Sequence, residues 1–354
     1  MWFSLLSDRL LAGGCIRPST AVKGLKLGFV APQRLFVALT LVLSGLVLEP
    51  FAWLQSFVWG RRLQTCVLPD DPIIVIGHWR SGTTYLHQLL AADPSAATAR
   101  NALTVAPQIA LLLKPLLYPL LKQWMTVQRP IDAVLWGPDD PQEDEVGLAR
   151  LTMDTNMAGI AFPQNYPGNF RRCVLNTTRE FEHCLLSFTR LTWLHEGVGK
   201  HHLVIKNSAH SARIPLLLNL FPRARFVFLK REPMNSIRSL VQVKQRLAQL
   251  VGLQAAPSAC RQVEETVTAH TQLMQAFEQS RHLIPEGQLV EIAYEDLVQS
   301  PLETVMRIYS ALNICGWSKV HDVIASRIAS GKSYRAQPVV LEPEAEQHLQ
   351  ALLS

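Results

Sequence analysis

Ile73-Ile-Val-Ile-Gly-His-Trp-Arg-Ser-Gly-Thr-Thr-Tyr-Leu-His-Gln-Leu-Leu90 is the stretch on which the fold turns. Four β-branched residues after Pro72 suit a strand covered on both faces. Gly77 and Gly82 permit a tight turn, and Leu86, Leu89 and Leu90 recur at helical spacing. A buried strand that runs through a short glycine-bounded loop into a helix presents backbone N–H groups and a positive dipole end to an anion. Ser81, Thr83 and Thr84 add hydroxyl donors. The stretch reads as a phosphate cradle.

A loop for nucleoside triphosphates reads G-x-x-x-x-G-K-[ST], its Lys reaching the outer phosphates and its hydroxyl holding magnesium. Gly77 and Gly82 keep the glycine spacing, but Thr83 stands where that Lys belongs and the cation, Arg80, lies inside the loop. ATP fits poorly. The Arg80-Ser-Gly-Thr-Thr84 run between strand and helix resembles the sulfotransferase family. In that family a [KR]-S-G-T-T loop holds the 5′-phosphosulfate end of 3′-phosphoadenosine 5′-phosphosulfate (PAPS). The resemblance implies that Arg80, Ser81, Gly82, Thr83 and Thr84 bind this donor.

Arg225-Phe-Val-Phe-Leu-Lys-Arg-Glu-Pro-Met-Asn-Ser-Ile-Arg-Ser239 is again strand, turn and helix, with Pro233 suited to a first helical turn. It resembles the family's 3′-phosphate site, in which an Arg at a strand end is followed eight residues later by a Ser. Arg231 and Ser239 keep that interval. A guanidinium fork and a hydroxyl two helical turns on can converge on one phosphate. Two anion sites at the carboxyl ends of parallel strands suit a nucleotide with phosphates at both 5′ and 3′ positions. A third match, Leu289-Val-Glu-Ile-Ala-Tyr-Glu-Asp-Leu297, reads as a strand running into a loop and looks like the family's Y-E-D-L segment. By that resemblance Tyr294 lies against the adenine, and Tyr85 is a second stacking candidate.

With 354 residues and 48% hydrophobic content, the chain can bury a large core as one enlarged α/β domain. The net charge of +6 favours anionic ligands or an anionic membrane. It does not come as Lys/Arg runs interleaved with aromatics, which argues against nucleic acid as a partner. Six cysteines without C-x-x-C or zinc spacing argue against both a metal site and a disulfide framework, and fit a reducing cytoplasm.

From Leu35 to Trp59 the one charge is Glu49, next to Pro50, with basic residues on both flanks. This run is long enough to cross a bilayer, but Glu49-Pro50 is expected to break it into a helix pair lying on, or half inserted in, a membrane surface. A single span and a soluble packing helix are the alternatives. Residues 1–68 are therefore expected to form a hydrophobic, membrane-associated helical segment, and residues 69–354 the catalytic domain at the inner face of a membrane, in the cytoplasm.

Leu111 to Leu121, broken by Pro115 and Pro119, reads as a kinked buried helix, with a second membrane-facing surface as the alternative. In Asp139-Asp-Pro-Gln-Glu-Asp-Glu-Val146, Asp140 is expected to cap a helix, Pro141 to open it and Glu143 to close a capping box. His202 to Lys206 reads as a buried strand with both histidines, His201 and His202, at the surface. Ile214 to Leu220 and Pro301 to Leu312 read as helices. The fold class that follows is α/β: a mainly parallel central sheet wrapped by helices, the P-loop-like architecture of sulfotransferases, preceded by the hydrophobic helical segment.

Sulfuryl transfer needs a stabilised phosphate leaving group, an in-line acceptor and a base for the acceptor's proton, with no metal. Arg80 is the first charge stabiliser. Lys206-Asn-Ser-Ala-His210 resembles the family's K-[ST]-P-x-H element at the sulfate, which implies a role for Lys206, although Asn207 and Ser208 depart from the pattern. Family members take their base from a His after this strand or from a Glu on a helix over the cofactor. His210, Glu143 and Glu145 are the matching candidates, Glu145 being preferred among the acids because Glu143 has a capping role open to it. His78 is expected to shape the loop. The reading is a PAPS-dependent sulfotransferase acting on a hydroxyl or amine of a lipid, glycolipid or other membrane-associated acceptor. Its rivals are sulfation of a soluble carbohydrate or small metabolite, a nucleotide kinase, and a non-catalytic nucleotide-binding protein.

Overall fold

In a computed structural model, residues 2–125, 129, 136–331 and 339–354 are described. Three helices come first: α1 (Trp2–Gly13), α2 (Pro18–Gly24) and α3 (Leu35–Thr65). Strand β1 (Ile73–Gly77) then leads through the cradle loop into α4 (Thr83–Leu90), the two-residue strand β2 (Ala96–Ala97), α5 (Asn101–Thr104), α6 (Lys114–Trp124) and α7 (Asp144–Leu151). Helices α8 (Met157–Ala161), α9 (Tyr166–Phe170) and α10 (Arg179–Glu196) precede β3 (His202–Lys206), which is followed by α11 (Ile214–Leu220). Strand β4 (Arg225–Lys230) leads into α12 (Pro233–Val251) and α13 (Ala259–Ser280). Strand β5 (Leu289–Ala293) leads into α14 (Tyr294–Gln299), α15 (Pro301–Ala311), α16 (Trp317–Gly331) and α17 (Pro343–Leu353).

The sheet order is β2-β3-β1-β4-β5 and every pairing is parallel, with Ile73 opposite both Val204 and Arg225. Alternation sends the strand residues to two cores. Ile74, Ile76, Phe226 and Phe228 pack against Phe181 and Phe188 of α10 and against Phe277 of α13, whose ring stacks on Phe228. Ile73, Val75, Val227 and Leu229 face α4, α15 and α16. Both faces are covered, which is why β1 reads as an unbroken apolar run. The chain steps over β1 between β3 and β4, so a crevice opens at the carboxyl end of β1, where parallel α/β sheets place their ligands.

Several expectations are corrected. Pro50 does not divide the amino-terminal apolar run: α3 continues through it for 31 residues. A proline inside a helix costs about 3 kcal/mol, but α3 is anchored to the rest of the chain on either side of residue 50, by Val37 and Leu41 in one cluster and Ala52 in another. The Leu111–Leu121 region is not a buried helix; α6 buries Leu121 but exposes Leu116 and Leu120. The acidic helix begins at Asp144, with Glu143 in the N-cap position and making no capping bond, because its side chain is engaged elsewhere. His202 is buried beside Asp93, and β5 runs directly into α14 instead of a loop.

Candidate active site

Backbone conformation shapes the cradle. Gly77, Arg80 and Gly82 all have positive φ, at 138°, 67° and 95°. A Cβ on Gly77 would lie 2.5 Å from the Leu229 carbonyl, and one on Gly82 would lie 2.6 Å from the Tyr294 ring, so both positions need glycine's freedom and its missing side chain. Arg80 has no such freedom and occupies a conformation that costs a side-chain-bearing residue roughly 1–2 kcal/mol. Ser81 is buried and spends its hydroxyl inside the loop, donating to the His78 carbonyl at 2.7 Å. Thr83 and Thr84 open α4, and the Tyr85 and Leu86 N–H groups return to the Gly82 carbonyl. Tyr85 is half-buried against the α4-side core.

The second anion site meets the first. Arg80 Nε donates to Ser239 Oγ at 2.9 Å, and Arg231 Nη1 donates to the Arg80 carbonyl at 2.6 Å. The Arg231 guanidinium lies 4.1 Å from the centre of the Tyr294 ring, a cation–π contact. Glu232 caps α12 by accepting from the Met234 and Asn235 N–H groups, fixing Ser239 two turns into that helix. Arg80, Gly82, Arg231, Ser239 and Tyr294 thus converge from the ends of β1, β4 and β5.

On the other side of β1, three consecutive carboxylates meet the segment that leaves β3. Glu143 accepts from Lys206 Nζ at 2.5 Å and from the Ser208 N–H at 3.0 Å. Asp144 accepts from Asn207 Nδ2 at 2.6 Å and from His210 Nε2 at 3.1 Å. Glu145 accepts from Asn207 Nδ2, from the Asn156 N–H and from Arg213 Nη1, at 2.7, 2.6 and 3.3 Å. His210 is wholly buried; its Nδ1 faces Arg213 Nη1 at 3.3 Å, so Nδ1 accepts and Nε2–H donates to Asp144. Asn207 also caps the 3₁₀ turn Ser208–Ala212 by accepting from the Ala209 N–H. The Gly77 N–H donates to Ser211 Oγ at 2.9 Å, tying this turn to the cradle.

Of the acid and base candidates, Glu145 and His210 are therefore enclosed in a buried network, whereas the Glu143 side chain keeps 15% exposure and holds Lys206. Asn207, Ser211 and Arg213 are the members of this site that the sequence reading missed as partners. Three adjacent acids in a chain short of charge were the available signal. His78 is buried edge-on to His270, and burial, reinforced by that neighbour, pushes its ring down to about 3. His87, bonded to Thr98 beneath Lys206, is likewise pushed down to about 3, first by burial and then by Lys206 and Arg100. Both rings stay neutral, in keeping with a structural role.

Comparison with known proteins follows the same residues. The model of the sulfotransferase family matches residues 72–319. The omega-hydroxy-beta-dihydromenaquinone-9 sulfotransferase Stf3 of Mycobacterium bovis is 30% identical over 265 residues, 73% of this chain and 67% of that protein. Among solved structures, the sulfotransferase STF9 from Mycobacterium avium superposes with a TM-score of 0.65 at 18% identity, covering 87% of this chain and 81% of that one. STF1 from Mycobacterium tuberculosis gives 0.56 at 16% identity, covering 98% and 90%. These two likenesses speak to the fold; the family model and the Stf3 match carry the assignment. The chain belongs to the sulfotransferase family.

Proposed function

We propose that this enzyme moves the sulfuryl group of PAPS to a hydroxyl of a lipid acceptor at a membrane surface. The observation that carries the donor is the convergence of Arg80, Ser239, Arg231 and Tyr294 around a loop that has Thr83 in place of a triphosphate-binding Lys. Arg231 and Ser239 suit a 3′-phosphate, the loop N–H groups and Arg80 a 5′-phosphate, and the Tyr294 face an adenine. When bound, the donor supplies a sulfuryl group whose bond to the 5′-phosphate oxygen breaks as the acceptor oxygen bonds to sulfur. Glu143 takes the acceptor proton. Lys206 and Arg80 stabilise the charge left on the phosphate. Glu143 is chosen over Glu145 and His210 because it alone of the three is partly exposed and paired with a side chain that has this second task.

Two observations support a lipid. The similar protein Stf3 is named for a hydroxylated menaquinone. The chain also carries a long helix, α3, whose outer face is apolar and exposed.

Calorimetry with 3′,5′-adenosine bisphosphate and with ATP tests the donor: the first is expected to bind and the second not, and the reverse would refute it. Transfer of labelled sulfate from PAPS into a lipid extract, set against water-soluble sugars and phenols, tests the acceptor. Label confined to the water-soluble compounds would refute the lipid.

A further inference from the structure

We infer that α3 is an in-plane anchor: its outer face lies along an anionic lipid bilayer at headgroup depth and does not cross it. The inference deepens the membrane-surface reading and rests on it. By length and composition α3 can span a membrane, and its most apolar window is only 22% buried. Its packing forbids that orientation. Val37 and Leu41 sit against Tyr166 and Leu250, Leu48 and Ala52 against Ile109 and Leu113, and Leu63 against the α10-side core. Gln55 donates to the Pro107 carbonyl at 3.0 Å and accepts from the Leu111 and Leu112 N–H groups.

From Val37 to Leu63 the helix is therefore fixed to the rest of the chain over about 39 Å at 1.5 Å per residue. A hydrocarbon core is about 30 Å thick, so a spanning α3 would draw α10 and the Pro107–Leu112 backbone into lipid with it.

The opposite face is apolar and open. Phe36, Leu39, Leu43, Val47, Leu54 and Phe57 are exposed, Phe57 to 88%. Adjoining it, α6 and the Leu113 that precedes it share the Leu48–Ala52 cluster, through Leu113 and Leu117, and α6 exposes Leu116 and Leu120. Glu49, the one acid of α3, is neutralised by Arg17 and also accepts from the Trp53 indole. Arg34 stands at one end of the helix and Arg61 and Arg62 at the other, Arg62 lying over Trp59. Cations at both ends of an apolar stripe, with Trp53 and Trp59 toward one end, are the pattern of an interfacial helix on anionic lipid.

A second copy of the chain is a worse occupant. Antiparallel pairing across a two-fold axis would set Arg34 against Arg61 and Arg62, and parallel pairing would set like ends together. Pro50, itself exposed, cannot bond the carbonyl of Leu46, also on this face, and headgroup depth keeps water within its reach.

The test uses the full chain and two vesicle compositions, phosphatidylcholine with and without phosphatidylglycerol. Flotation should favour the anionic vesicles at least tenfold. A combined Leu39→Ser, Leu46→Ser, Phe57→Ser variant should lose that binding while keeping its affinity for 3′,5′-adenosine bisphosphate. A fluorescent amino acid placed singly at positions 36, 47 and 57 and quenched by brominated lipids should report one shallow depth for all three. A deep centre between shallow ends would overturn the in-plane orientation and leave the membrane-surface reading standing. Failure to float, or self-association through α3 without vesicle binding, would overturn both.

Discussion

The cradle and the acidic segment lie on either side of β1, and they are built in opposite ways. Positive backbone dihedrals at Gly77, Arg80 and Gly82 make the cradle, and the bonds that join Arg80 to Ser239 and Arg231 are only partly buried. The acidic segment is made by side chains: Glu143, Asp144 and Glu145 meet partners 62 to 68 residues away, most of them buried. A site shaped by the backbone keeps its form when side chains such as Arg80 and Ser239 turn from each other to a ligand. In a site shaped by ion pairs, reactive groups are set apart from structural ones by what each can release. Glu143 keeps 15% exposure and can pass Lys206 to the phosphate of a bound donor; Glu145 and Arg213 are both enclosed, and parting them leaves a buried charge uncompensated.

The sharpest way to break that distinction is to remove the two acids separately. Glu143→Gln is expected to lower kcat by roughly 10²- to 10⁴-fold, the usual contribution of a positioned base, with some loss of thermal midpoint because Lys206 is left buried without its carboxylate, although Gln can still accept from the Ser208 N–H. Glu145→Ala strips partners from Arg213, Asn207 and the Asn156 N–H, and is expected to cost roughly 3–5 kcal/mol of stability, read as a lower urea midpoint. A Glu143 variant with full turnover, or a Glu145 variant of unaltered stability, would overturn the division between reactive and structural acid.

This contrast also explains what the sequence disclosed. Backbone-shaped sites need particular residue types at fixed spacing, so Gly77, Gly82 and the Arg80–Thr84 run were legible, as were the strand that ends in Lys206 and those that lead into Arg231 and Tyr294. The cradle's length is set locally. The role of each acid was not legible, because whether Glu143 caps a helix or holds Lys206 is decided by residues brought near only when β3 docks beside β1. The continuity of α3 was hidden for the same reason: Pro50 is a local breaker, and the packing that overrides it comes from the Ala106–Leu117 segment, α9 and α12, all distant in the chain.

On the cradle side the expected effects are smaller and fall on binding. Arg231→Ala removes a charged donor that contributes about 1.5–3 kcal/mol in such bonds. It should weaken 3′,5′-adenosine bisphosphate by one to two orders of magnitude while leaving kcat at saturating donor within a few fold. Gly82→Ala adds a Cβ that meets Tyr294 at 2.6 Å in a positive-φ conformation, and should weaken the same ligand without lowering the rate at saturation. Titration calorimetry against steady-state rates separates the two quantities. A loss in kcat with intact affinity for either variant would put that residue in the chemistry beside Arg80.

The mildest test concerns the floor beneath Lys206. In the unfolded chain His87 titrates near 6.5, whereas in the fold burial, with Lys206 and Arg100 adding to it, holds the ring down to about 3. Between those values the unfolded chain carries a proton that the folded one refuses. This contribution is therefore intact above pH 6.5 and is lost as pH falls toward 3. At pH 5 the loss comes to about 2 kcal/mol at 1.36 kcal/mol per unit, and His78 adds to it in the same direction. His87→Gln keeps a partner for Thr98 but cannot titrate, so its urea midpoint should fall less between pH 7 and pH 5 than that of the parent chain. Parallel falls would mean that His87 is protonated in the fold. The cation beneath Lys206 would then repel it, and the Lys206–Glu143 pair would have to be stronger than its geometry alone requires.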